Sequence, residues 1–179
     1  ASAADLQGGT GTPREIAAFE VEQDQLLYAV VLHDPASPLN AAQRFWIWSS
    51  GGVEGGLAVA SGTLSMPGDA RGALTVGAVG VSSGAVEPFS SRGPTQDGRV
   101  KPDIAGPDGV STAAYGGEPF FGTSAATPHV AGAAALLLSR TPSLSAQALR
   151  TALEQATAGQ GRSRNNDVGV GVLDLNLAR

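Results

Sequence analysis

The sequence contains no cysteine, which excludes disulfides, thiolate metal sites and a cysteine nucleophile together. Lysine is nearly as scarce: Lys101 is the only one, the arginines are scattered, and the net charge is −5. Binding to a phosphate backbone draws on clustered cations, so no nucleic-acid partner is expected. Long apolar runs are missing too. The longest, residues 131–138, falls far short of the roughly 20 residues that cross a bilayer, so no membrane segment is expected. No basic stretch leading into an apolar one opens the chain, and no signal peptide is read there. What is present is enough apolar material for a core, 42% of 179 residues, with charge too modest for a disordered chain.

Two textures divide the sequence. Residues 14–66 alternate strand-length apolar runs (16–21, 26–32, 45–48 and 57–60) with turn chemistry such as Asp34-Pro35-Ala36-Ser37-Pro38 and Ser49-Ser50-Gly51-Gly52. They read as about four antiparallel strands, too few for a complete sandwich of about seven. Residues 1–13 carry few order signals and read as a loose arm.

From Pro67 onward the pattern changes. Residues 74–81 form a continuous apolar run suited to a strand buried on both faces of a parallel sheet. A Gly/Pro/Ser-rich stretch follows over 90–122, then a small-residue helix over 124–140 that Pro142 stops. A second helix is signalled by Ser143 or Ser145 as cap and by Ala148, Leu149, Leu153 and Ala156 at helical spacing, with Gly159 and Gly161 ending it. Residues 168–177 close the chain as a short extended segment. Strand, loop, two helices and strand predict an α/β layer.

The chemistry concentrates in Gly122-Thr123-Ser124-Ala125-Ala126-Thr127-Pro128-His129-Val130-Ala131-Gly132. A serine at a helix start faces unpaired N–H groups and the positive end of the helix dipole, which favour the oxyanion of a tetrahedral intermediate. Gly122 permits a sharp entry into the helix, and Ala125 and Ala126 leave room for a substrate. A lone Gly-Thr-Ser is better read as a plain helix cap. The eleven-residue string is not the Gly-x-Ser-x-Gly elbow of α/β-hydrolases, since Ala126 stands where the second glycine belongs.

Position by position, that string resembles the segment around the catalytic serine of the subtilase family of serine proteases. Further segments resemble the family in the same order: Ala73-Leu74-Thr75-Val76-Gly77-Ala78-Val79, Phe89-Ser90-Ser91-Arg92-Gly93-Pro94, Lys101-Pro102-Asp103-Ile104-Ala105-Gly106-Pro107 and Gly169-Val170-Gly171-Val172-Leu173-Asp174. The resemblance implies that residues 67–179 are the C-terminal half of a subtilisin-like parallel-sheet domain. It implies Ser124 as nucleophile of a peptide-bond hydrolysis, with oxyanion support from its own N–H and from Thr123, and a peptide or protein substrate. Residues 1–66 look like the closing strands of a β-sandwich that some bacterial subtilases carry as an insert; an independent β module is the alternative. Family habit further implies a secreted or extracytoplasmic bacterial enzyme, and allows calcium in the parent, although no carboxylate cluster here has the spacing of a known calcium loop.

A serine hydroxyl needs a base, and the base an orienting acid. The chain has two histidines. His129 lies five residues past Ser124, about 140° around a helix of ~3.6 residues per turn, and reads as structural. His33 adjoins Asp34, but neighbours on a strand point to opposite faces. Neither sits in a His-Gly-Thr-His setting, and no Asp-Ser-Gly or Asp-Thr-Gly is present. Asp97-Gly98 and Asp108-Gly109 read as turns, and Asn40 does not lie in the Ala-Ala-Gly-Asn setting of the family's oxyanion asparagine. The expectation is therefore a chain that lacks the catalytic Asp, His and oxyanion Asn. It should be close to inactive alone, should partner a missing N-terminal half, and should be prone to self-association through exposed strand edges. The alternative is an inactive binding or assembly module built on a subtilase remnant.

Overall fold

A computed structural model describes residues 59–158 and 163–176. The chain divides into two compact units, Ala1–Trp46 and Ile47–Arg179, and every described residue belongs to the second. The strands expected at 16–21, 26–32 and 45–48 lie outside the described residues, as do residues 57–58 of that expected at 57–60, while Val59 and Ala60 are described and are not strand.

In chain order the elements are β1 (Val76–Gly80), β2 (Ile104–Asp108), β3 (Val110–Ser111), a 3-10 turn at Ala113–Tyr115, β4 (Pro119–Phe120), α1 (Thr123–Arg140), α2 (Ala146–Gln155), β5 (Thr157–Ala158) and β6 (Val172–Leu173). Four of the strands form a sheet in the order β1-β2-β6-β5. β1 and β2 run parallel, with Val76 opposite Ile104 through to Gly80 opposite Asp108. β6 continues the parallel pairing at Ala105 and Val172, and β5 is antiparallel to it. β3 and β4 make a separate antiparallel pair. The expected α/β layer is present.

The apolar run at 74–81 becomes β1, whose last four residues are buried. β2 is a correction, because it falls inside the Gly/Pro/Ser-rich stretch that showed no strand pattern. Its sequence, Ile-Ala-Gly-Pro-Asp, carries three residues that strands avoid. Pro107 is tolerated for a local reason. Alternate residues of a strand bond to the same neighbour, so Pro107 faces β6 as Ala105 does; the β2–β6 ladder has already ended at Ala105, and no bond is lost.

Helix α1 packs on β1 and β2, and α2 packs on α1. The core holds Ile104, Val130, Ala133 and Leu153, with Leu74, Val76, Leu137, Leu149 and Leu173 against it. Gly106 sets the separation between helix and sheet. A Cβ there would stand 2.5 Å from the Ala126 carbonyl oxygen, so only a glycine allows α1 to lie this close to β2.

Helix α2 is capped by Ser145, whose hydroxyl accepts the Ala148 N–H. It stops at Gln155, ahead of the expected glycine stops, because Thr157 and Ala158 leave to pair with β6. Its inward face, Leu149 and Leu153 among it, is the one read from the sequence. The closing segment is strand only at Val172–Leu173.

A buried carboxylate ties these pieces together. Asp103, 1% exposed, accepts the Thr75 N–H at 2.8 Å and the Lys101 ammonium at 2.5 Å. It also pairs with the guanidinium groups of Arg150 and of Arg164, and both arginines meet Glu154. Burial pushes the Asp103 carboxyl up, but the Lys101 and Thr75 hydrogen bonds and the nearby cations outweigh it and hold the group below its ordinary value.

Candidate active site

Ser124 is the second residue of α1, immediately after the turn at Gly122 and Thr123. Gly122 has φ 127° and ψ 157°, a conformation that side-chain-bearing residues rarely adopt. Its carbonyl accepts the N–H groups of Ala125 at 2.8 Å and Ala126 at 3.3 Å. The first two residues of a helix have no internal acceptor for their N–H groups, so those of Thr123 and Ser124 are not used within α1. No acidic side chain occupies that first turn, and the positive end of the helix dipole is uncompensated by its own residues. Ser124 is exposed and Thr123 half-buried. Among the described residues Ser124 Oγ has no hydrogen-bond partner, while Ala125 and Ala126 are buried against the sheet.

Two further features bear on Ser124. Pro128 lies inside α1 and brings no N–H to the Ser124 carbonyl. His129 donates from Nδ1 to the Ala125 carbonyl at 2.8 Å, so that ring nitrogen is occupied on its own helix. His33 lies outside the described residues.

Asp108 was not recognised as part of this region from the sequence. Gly109 does make a turn, with φ 68°, but Asp108 is no surface turn residue: it ends β2 fully buried and accepts the Gly122 N–H through Oδ1 at 2.8 Å. The available signal was its place at the end of an apolar segment leading toward the serine; its inward direction was not legible. No group of three or more His, Asp or Glu side chains that could hold a metal ion occurs among the described residues.

The model of the subtilase family matches residues 17–171, most of the chain. The chain belongs to the subtilase family. This subtilase chain is 33% identical to the serine protease AprX of Bacillus subtilis over 175 residues, covering 81% of the chain and 38% of AprX. Among solved structures it resembles the CspB protease of Clostridium perfringens with a TM-score of 0.57 and 27% identity, over 66% of the chain and 28% of that protein. It also resembles sphericase with a TM-score of 0.53 and 29% identity, over 66% of the chain and 45% of sphericase. The subtilase chain thus spans about two fifths or less of AprX and CspB. No helix among the described residues is long and apolar enough to cross a membrane.

Proposed function

We propose that the protein carrying this chain is a serine endopeptidase that hydrolyses peptide bonds through an acyl-enzyme on Ser124. The observation that carries the reading is Ser124 standing exposed on the first turn of α1, within the subtilase-like string from Gly122 to Gly132. Ser124 Oγ attacks the scissile carbonyl carbon and gives its proton to a base; the tetrahedral oxyanion takes the Ser124 N–H, with support from the Thr123 hydroxyl. The leaving amine departs protonated, and water releases the acyl group. His129 is engaged at Ala125 and His33 lacks the setting of a base, so base, acid and side-chain oxyanion donor come from outside these 179 residues. The substrate is an extended peptide that pairs with the cleft backbone. Residues 1–66 form part of a β insert and 67–179 the C-terminal half of the catalytic domain. The enzyme works outside the cytoplasm, and no cofactor is assigned to this chain.

Labelling with a fluorophosphonate tests the reading. The full-length protein should take up one equivalent, Ser124→Ala should take none, and the 179-residue chain alone should label slowly or not at all. A full-length protein that stays unlabelled would favour the other reading, a binding or assembly module. Self-association of the chain alone belongs to the same proposal. The outward groups of β1 are largely occupied, Ala78 by Ser90 and Glu87 and Gly80 by Ala85 and Gly84. Apolar side chains such as Leu136, 57% exposed, and Val81, 58% exposed, are the better contact surface. A strict monomer in sedimentation at high concentration would contradict it.

A further inference from the structure

Asp108 is fully buried, yet it is only half used. Its Oδ1 accepts the Gly122 N–H at 2.8 Å, whereas Oδ2 is buried without a partner among the described residues. A buried carboxylate with an idle oxygen is costly, and a neutral side chain could occupy the space at less expense. The bond it does make falls on the residue that sets the entry into α1.

Gly122 is in consequence held from both sides. Its N–H is fixed to the end of β2 through Asp108, and its carbonyl is fixed to the first turn of α1 through Ala125 and Ala126. Asp108 itself is anchored, since its carbonyl accepts the Val81 N–H at 2.9 Å just past β1. Sheet, glycine and the first turn of α1, on which Ser124 stands, are therefore joined in one short chain of hydrogen bonds. Without the first link, Gly122 keeps the wide conformational choice of a glycine, and the Ser124 hydroxyl and N–H inherit that freedom.

We infer that Asp108 is a positioning residue for the nucleophile: it fixes Gly122 against the sheet and so holds Ser124 Oγ and its N–H in the geometry of attack. It acts through Gly122 and does not touch the substrate. The inference rests on the reading of Ser124 as nucleophile.

The test uses the full-length protein with Asp108→Asn, which keeps an acceptor oxygen in the same shape, and Asp108→Ala, which removes it. Two quantities are followed: amide hydrogen exchange at residues 121–125, and fluorophosphonate labelling of Ser124 resolved into probe affinity and maximal rate. In D108A the Gly122 amide should lose protection while β1 and α2 keep theirs. The maximal labelling rate should fall roughly tenfold or more with probe affinity little changed, since a small misplacement of a reacting group has effects of that order. D108N should restore both to within about threefold of the wild type. If D108A does not fold, Asp108→Ser, whose shorter side chain does not reach Gly122, takes its place with the same expectations. A variant without the acceptor that keeps Gly122 protected and labels like the wild type overturns the inference. So does one that loses protection across the whole sheet in step with the rate, which marks a merely structural role. If the wild type takes no label, the nucleophile reading fails, and the exchange at Gly122 alone decides whether Asp108 anchors it.

Discussion

Gly122 shows how much of a site can depend on the absence of a side chain. At φ 127° a Cβ is strained whatever the space, and one built there would lie 3.5 Å from the Ser124 nitrogen. Gly122→Ala should therefore cost about 1–3 kcal/mol in stability, read from the urea midpoint, and should slow Ser124 labelling in the full-length protein. A variant as stable and as reactive as the wild type would show that the turn relaxes freely. At this scale the sequence was legible where chemistry and local backbone coincide: glycine before serine at a helix start is one local motif. Asp108 was illegible because Asp-Gly favours a turn in any setting, and the glycine does make one. That the carboxylate turns inward to a residue 14 positions away depends on tertiary packing.

Among the elements, legibility followed periodicity. Both helices and β1 were readable because their apolar residues recur on a buried face or run without break. β2 was hidden by Gly106, Pro107 and Asp108, each of which has a structural reason to be there: close packing of α1, the end of the ladder to β6, and the bond to Gly122. β5 is two residues long, and only pairing with β6 makes it a strand. Of the two serines read as possible caps of α2, Ser145 is the one that bonds into the helix. Ser145→Ala should lower stability by about 1 kcal/mol, while the nearby Ser143→Ala should be close to neutral. Equal losses at the two positions, measured by urea unfolding, would contradict the assignment.

At the scale of the molecule, two carboxylates among the described residues are held below their ordinary value and so bear on the response to acid. Asp97 is lowered from 3.8 to about 2 by hydrogen bonds from Arg99 and Thr95. Asp103 is also held low, the Lys101 and Thr75 bonds and the cations prevailing over burial. A folded value below the unfolded one means that the ionised form favours the native state. The contribution is complete above the unfolded value and drains away as the pH falls through the folded one. Stability should therefore hold level from neutrality down to about pH 4 and decline below it. Asp97 lies at the surface, where ion pairs contribute little, so Asp103 should dominate the fall. Urea midpoints measured across that range check this, and a midpoint that rises on acidification would contradict it.

The donors to Asp103 also carry a kinetic consequence. Thr75, Arg150 and Arg164 lie 28, 47 and 61 residues away along the chain. Gathering them requires several long loops to close, so this junction belongs late on the folding route, after local helix and hairpin contacts. Interactions absent from the transition state govern how fast the native state opens rather than how fast it forms. Acid should then shorten the native lifetime, raising the unfolding arm of a chevron without changing its slope, and leave the refolding rate nearly untouched.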